Sequence, residues 1–195
     1  VLPTSKNYTQ ITLKDISVKK LYFDYAFIAS PSGSHFDHAM FFLKIGSNVL
    51  IEKPFVLRLD HARKLIQISD KKNLKCWTSL QNRYNLATSK LKSEIKLKSI
   101  GKINLVDCMM LWHRDKKYYS NNWRGKYSSD GGVLTNQAIH LLDTLIFNFG
   151  KISNFDVYAD FNRNKLQAED LILINFRHEN GILSSFKATT RANKN

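Results

Sequence analysis

Cysteine is nearly absent. Cys76 and Cys108 are the only two in 195 residues, too few for a disulfide scaffold, and both sit in apolar segments that read as reduced and buried. Three prolines and eight glycines exclude collagen-like and proline-rich low-complexity chains. No apolar run approaches the ~18 residues that cross a bilayer, which speaks against an integral membrane protein. The opening Val1-Leu2-Pro3-Thr4 has no Met, basic leader or apolar core, so no signal peptide is legible and a cytoplasmic location is expected. Acidic residues are also scarce, 16 against 30 Lys+Arg, for a formal charge of +14 and a pI near 9.8. What is plentiful is apolar: 43% of residues are hydrophobic, enough to build a real core.

A field of that sign attracts polyanions, which keeps a basic nucleic-acid-binding module open as a reading. Its distribution argues the other way. The cations are mostly Lys spread over helical stretches (Lys90-Leu91-Lys92, Lys96-Leu97-Lys98) and turns (Lys71-Lys72-Asn73). No stripe of Arg interleaved with stacking aromatics appears. A solvated Lys-rich surface is the favoured reading.

Periodicity alternates strand and helix, then turns mostly to strand. Leu21–Ser30 is almost continuously apolar up to Pro31 and Gly33, as in a parallel strand buried on both faces. Helices are expected at about His35–Ile45 and Leu59–Lys72, and strands at Asn48–Ile51 and Leu74–Leu80. Such short links imply right-handed crossovers and a parallel sheet. Beyond Gln81 the pattern predicts a helix over Leu86–Ser99, a strand over Lys102–Trp112 and a polar aromatic loop over Tyr118–Ser129. A helix over Val133–Phe149 and strands at Ile152–Phe161, Asp170–Arg177 and Ile182–Thr189 follow. Asn180-Gly181 signals a tight hairpin between the last two. The expected class is α/β: a partial Rossmann parallel sheet (1–80), then an α+β domain with an open, mostly antiparallel sheet (81–195).

Ligands of an open parallel sheet bind beyond the carboxyl ends of its strands. Two candidates fall there, Ala29-Ser30-Pro31-Ser32-Gly33-Ser34-His35 and Glu52-Lys53-Pro54. An ammonium held at a strand end can polarise a hydroxyl or carbonyl and stabilise a developing alkoxide, and partial burial lowers its pKa. The tripeptide alone reads better as a surface turn. In Asp130–Asp143, paired glycines precede a helix on which Asn136 and His140 stand four apart, with Asp143 one turn on to orient the imidazole. His140 is then a general acid/base candidate or a core-edge histidine bonded to Asp143. His35 and His38 make half a metal site at most, no further ligand lies at supporting spacing, and no metal is expected.

Taken in order, Ile28-Ala29-Ser30-Pro31 with His35, Val49-Leu50-Ile51-Glu52-Lys53-Pro54, Gln81-Asn82-Arg83-Tyr84-Asn85 and Gly131-Gly132 with Asn136, His140 and Asp143 resemble the Gfo/Idh/MocA oxidoreductases. These are the relatives of glucose–fructose oxidoreductase and inositol dehydrogenase. The closing Glu169-Asp170, Phe176, Asn180-Gly181 and Ala188-Thr189-Thr190 look like the family's C-terminal sheet. The resemblance implies a Rossmann domain binding NAD or NADP and an α+β domain that shapes a carbohydrate site and carries a homo-oligomer interface on its sheet. It makes Lys53 and His140 catalytic, and places Ala29, Ser30, Pro31, His35, Glu52 and Lys53 along the dinucleotide. It puts Asn136, where many members have Asp, and Arg83 on the substrate side. The tract Trp112-His113-Arg114 to Trp123-Arg124-Gly125 resembles a subgroup associated with sugars and sugar nucleotides, which adds Arg114, Tyr119, Trp123 and Arg124 as substrate contacts.

Two departures stand out. Asn136 is neither acid nor base, which leaves the proton chemistry to His140 and Lys53. The G-x-G-x-x-G fingerprint of the first βα turn, where helix N–H groups hold the pyrophosphate, is absent from the sequence. By resemblance the chain is an internal segment of a longer protein, starting one or more βα units late and stopping before its sheet is finished, and inactive by itself. The expected activity of the whole is hydride transfer between nicotinamide and a ring carbinol of a sugar, sugar nucleotide or inositol-like polyol. A non-catalytic or truncated relative with a structural role is the alternative.

Overall fold

The computed structural model describes residues 9–161 and 166–193; the opening Val1–Thr4 lies outside them. The first element, α1 (Leu13–Val18), has no counterpart among the elements expected from periodicity. Its signal is nonetheless local: Thr12 Oγ1 accepts the Asp15 N–H at 3.1 Å while the Asp15 carboxylate accepts the Thr12 N–H at 3.0 Å, a reciprocal capping box.

Three parallel strands follow, β1 (Tyr25–Ile28), β2 (Asn48–Ile51) and β3 (Cys76–Thr78), in the order β1-β2-β3, with helices α2 (His35–Lys44) and α3 (Leu59–Lys71) in the crossovers. The first and third strands are shorter than their apolar runs. Burial of β1 on both faces is corrected: Ala26 and Ile28 are buried, whereas Tyr25 and Phe27 are 72% and 58% exposed. Both helices pack on one face, onto Ala26, Ile28, Val49 and Ile51. No described element covers the other face, where Phe27, Leu50 and Trp77 stand in register and exposed.

Helix α4 (Leu86–Leu97), capped by Asn85 accepting the Thr88 N–H at 2.7 Å, leads to the second sheet. Its strands β4 (Leu105–Leu111), β5 (Ile152–Asp160), β6 (Leu171–His178) and β7 (Leu183–Thr189) lie in the order β4-β7-β6-β5. β4 runs parallel to β7 and the other two pairings are antiparallel. The Asn180-Gly181 hairpin joins β6 to β7, with Gly181 at φ +87° and the His178 N–H donated to the Ile182 carbonyl at 2.9 Å. One face carries a core of Met110, Leu145, Ile174, Phe176, Phe186 and Ala188.

The helix expected over Val133–Phe149 is two helices, α5 (Gly132–Asn136) and α6 (Ile139–Phe149). The break has an identifiable cause. Gln137 and Ala138 both donate their N–H groups to the Val133 carbonyl, at 3.1 and 2.8 Å. The Asn136 carbonyl leaves the ladder and accepts the Lys53 ammonium at 2.7 Å. A side chain inserted at a helix end satisfies a carbonyl the helix no longer bonds.

Candidate active site

Two loops from the parallel sheet meet α5 and α6 of the second domain. Ser30 and Pro31 leave β1 into a one-turn 3-10 helix, Ser32–Ser34. There the Gly33 N–H donates to the Ser129 carbonyl at 3.1 Å. A Cβ on Gly33 would lie 2.5 Å from the Ser128 carbonyl oxygen, so only glycine allows this approach. Glu52-Lys53-Pro54 leaves β2, and a cis peptide bond joins Lys53 to Pro54.

His35 links the two loops. It is 1% exposed, and its ring nitrogens lie 2.8 Å from the Pro54 carbonyl oxygen and 2.9 Å from that of Ser30. Both polar atoms of the ring are thereby engaged with the protein. The structure gives His35 the task of holding the two loops together. His38, its candidate metal partner, instead bonds the Ser30 hydroxyl through Nδ1 at 2.9 Å. Among the described residues no group of three His, Cys, Asp or Glu side chains is placed to hold a metal ion.

The Lys53 ammonium crosses from one domain to the other. It donates to the Asn136 main-chain carbonyl at 2.7 Å and to Asn136 Oδ1 at 3.1 Å. The Asn136 amide nitrogen donates in turn to Asp130 Oδ1, and Asp130 Oδ2 accepts the Gly125 N–H at 2.7 Å. Burial lowers the Lys53 pKa; Glu52 and Asp130 oppose that and Arg124 adds to it. Burial raises the Asp130 pKa, against the Gly125 and Asn136 hydrogen bonds and the charges of Arg124 and Lys53.

His140, on the first turn of α6, has a buried Nδ1 without a hydrogen-bond partner among the described residues. The expected orientation of its imidazole by Asp143 is corrected. Asp143 is taken by Arg83, whose Nε and Nη2 donate to its two oxygens at 2.8 and 2.6 Å. The same guanidinium sits 5.2 Å over the Phe147 ring. Arg83 therefore ties the turn Gln81–Tyr84 to α6 through the Asp143 carboxylate. His140 and Asp143 share the unbroken helix α6, so it is the competing guanidinium that takes the carboxylate. The break separates Asn136 from His140 instead, because four-residue spacing sets side chains on one face only within a continuous helix.

Burial and then the Lys53 charge push the His140 pKa below its ordinary value, with Glu52 and Asp143 pulling back. The imidazole is neutral near pH 7 and fit to accept a proton. A depressed histidine pKa means the unfolded chain binds more protons just below pH ~6.5, so stability falls as pH drops there. His140→Gln is expected to flatten that limb of a stability-against-pH curve between about pH 5 and 6.5, measured by urea unfolding. An unchanged limb would contradict the assignment.

The remaining substrate-side residues form an arginine–aromatic stack. The guanidinium groups of Arg114 and Arg124 both sit over the Tyr118 ring, at 5.0 and 4.1 Å from its centroid, and also over Trp112 (5.0 Å) and Trp123 (4.9 Å) respectively. The Tyr118 hydroxyl accepts the Gln137 amide at 3.1 Å, which connects the stack to the α5–α6 break. Tyr119 turns away to bond Thr190 Oγ1 at 2.8 Å. A cavity of about 650 Å³ opens beside Arg124, walled by His113, Arg114, Lys116, Tyr119 and Lys126 among others, with Asp115 its one acidic side chain. Lys53, Asn136 and His140 are outside its wall.

Sequence reasoning missed Asp130, Tyr118 and Gln137 as parts of this arrangement. An acidic residue immediately before Gly131-Gly132 was the one available signal. Gly131 and Gly132 have φ of +82° and +87°, and the Glu169 carbonyl and carboxylate cap α5 by accepting the Val133 and Leu134 N–H groups at 2.9 and 3.0 Å. A Cβ on Gly132 would lie 2.0 Å from Glu169 Oε2.

A parallel sheet whose strand-end loops meet a second, sheet-based unit through an ammonium and an imidazole defines a two-part α/β protein with its candidate site between the parts. Comparison with known proteins makes that specific. A family model described as the oxidoreductase family with an NAD-binding Rossmann fold matches residues 5–80, and the GFO/IDH/MocA C-terminal domain matches residues 88–195. The chain belongs to the Gfo/Idh/MocA oxidoreductase family. It is 27% identical to an oxidoreductase of Formosa agariphila over 66% of this chain and 41% of that protein. It is 25% identical to scyllo-inositol 2-dehydrogenase (NADP(+)) of Bacillus subtilis over 63% and 34%. Among solved structures, the WlbA dehydrogenase of Bordetella pertussis in complex with NADH and UDP-GlcNAcA superimposes with a TM-score of 0.88 at 28% identity, over 93% of this chain and 56% of that one. The chain thus spans less than half of these two curated relatives and just over half of WlbA.

The loops after β1 and β2 carry the residues expected along such a cofactor, and they are accessible to it. Ala29 and Pro31 are exposed, and Ser30, Glu52 and Lys53 half-buried, in the loops that leave β1 and β2. Thr78 Oγ1, at the end of the third strand, is buried without a hydrogen-bond partner among the described residues. Among the described residues no helix is long and apolar enough to cross a membrane.

Proposed function

We propose that the protein is an NAD(P)-dependent dehydrogenase acting on a ring carbinol of a sugar, sugar nucleotide or inositol-like polyol, with residues 1–80 serving the cofactor and 81–195 the substrate and subunit assembly. The observation that carries this reading is the Lys53 ammonium, half-buried at a strand end and bonded across the domains to Asn136, beside the unpartnered Nδ1 of His140. The bound dinucleotide supplies the hydride acceptor or donor.

The chain's own residues do the rest. Lys53 stabilises negative charge on the carbinol oxygen as its proton leaves. His140, neutral at working pH, accepts that proton. Asn136 orients Lys53 and takes no part in proton transfer. Ala29, Ser30, Pro31 and Glu52 line the cofactor crevice, with His35 holding the two loops in register. Arg114, Trp123 and Arg124, with Tyr119 at the cavity wall, favour a substrate carrying an anionic group, because guanidinium forks pair with carboxylate and phosphate. The UDP-GlcNAcA bound in the WlbA structure is a ligand of that chemistry.

Assembly into a homo-oligomer is proposed through the open sheet face, where Leu105, Met109, Leu111 and Leu183 are exposed. A cytoplasmic setting suits the two free, half-buried cysteines. NADH and NADPH fluorescence titration of the full-length protein tests the central claim. Saturable sub-millimolar binding is expected, and its absence with both nucleotides would favour a non-catalytic relative.

A further inference from the structure

The polarity of the Lys53–Asn136–Asp130 chain has only one solution. An ammonium only donates, so the Asn136 atom facing it is the amide oxygen; a carboxylate only accepts, so the atom facing Asp130 is the amide nitrogen. Asp130 is 1% exposed and its second oxygen is held by the Gly125 N–H. The carboxylate cannot turn, and neither can the amide.

We propose that Asp130 is a positioning residue of the site: by fixing the Asn136 amide it aims an acceptor at the Lys53 ammonium and supplies the negative charge at the end of that relay. The proposal rests on Lys53 being the reactive ammonium.

The charged and titratable groups acting on this pair come from several elements. Glu52 and Asp130 hold the Lys53 charge and Arg124 opposes it, while His140 feels the Lys53 charge from α6. Tyr119 and Glu169 feel the Asp130 charge. Asp130 is thus the common point between the helix break, the Gly125 turn and the ammonium. A neutral group there changes the hydrogen-bond sense of the whole relay.

Hydrogen-bond bookkeeping makes the test sharp. In Asp130→Asn the new amide must give its oxygen to the Gly125 N–H, leaving its NH2 toward Asn136. Asn136 then turns its oxygen to that NH2 and presents its own NH2 to Lys53, donor against donor. Adding Asn136→Asp restores the relay, because one oxygen of the new carboxylate accepts from the amide at position 130 and the other from Lys53.

The measurement is the Lys53 pKa, read by NMR titration of the 13Cε and 15Nζ signals in wild type, D130N and D130N/N136D. D130N is expected to lower it by about one pH unit, and the double variant to return it to the wild-type value or above. An unchanged pKa in D130N overturns the proposal, as does a folded double variant in which it stays low. If D130N unfolds and N136D does not restore it, Asp130 is an anchor of the Gly125 turn and nothing more, which also overturns the proposal. The readout needs neither cofactor nor turnover, so its failure leaves the dehydrogenase reading standing, and failed nucleotide binding leaves this one testable.

Discussion

Replacing Lys53 by methionine in the full-length protein is expected to lower kcat by about 10²–10⁴-fold, with the dinucleotide Kd nearly unchanged. Methionine keeps most of the volume of the side chain and removes the charge together with the N–H donors to Asn136. The ammonium already has two acceptors on Asn136, so it is oriented before substrate arrives and costs little reorganisation when charge develops on the carbinol oxygen. The loss then falls on the chemical step, and steady-state kcat and KM on the preferred sugar, alongside NADH titration, check it. A kcat at the wild-type level would overturn the role given to Lys53. Loss of nucleotide binding without loss of kcat at saturation would make it a cofactor contact alone.

The largest expected loss of stability lies in the second sheet. Phe186 on β7 is fully buried, stands opposite Cys108 of β4 and Ile174 of β6, and packs edge-on to Phe176 at 6.2 Å between ring centroids. Phe186→Ala removes a ring from the centre of three strands and leaves a cavity that the flanking hydrogen-bonded ladders cannot close. A cost of about 3–5 kcal/mol is expected, read as a lower urea midpoint at unchanged m-value. Phe155, on the edge strand β5 and 60% exposed, is the internal comparison. Phe155→Ala should cost well under about 1 kcal/mol, as surface changes do. Equal losses at the two positions would contradict the assigned core.

Which parts were legible in the sequence follows from the range of the forces involved. The existence of the strands and most helices was readable because apolar periodicity records burial residue by residue. The Asn180-Gly181 hairpin was readable because a positive φ selects glycine locally. The ends were not. β1 occupies only Tyr25–Ile28 of the apolar run Leu21–Ser30, because apolar character reports a preference for burial and not where the ladder pairs. Helix α1, six residues long, is too short for a helical period to show, and its one local signal is the capping box from Thr12 to Asp15.

The site was legible as a set of residue types and illegible as a network. Lys53 and His140 were legible only through the ordered motifs of the family resemblance, because each alone reads better as a surface turn or a core-edge histidine. Arg83, His35 and Asp143 belong to the same motifs, and the structure commits all three to partners within the protein. Nothing local distinguishes an arginine that waits for a ligand from one already bonded to a carboxylate 60 residues away.

By itself, then, the sequence determined the succession of elements, the residue chemistry at the strand ends and the scarcity of acidic charge. Those depend on near neighbours and on composition. Only the tertiary structure decided that Asn136 breaks its helix, that its amide is held by Asp130, and that Lys53 crosses from one domain to the other to meet it. The bond from Lys53 to Asn136 spans 83 residues of chain. It exists because two separately packed sheets bring buried polar groups together, where each must find a partner or bear the cost of leaving water without one.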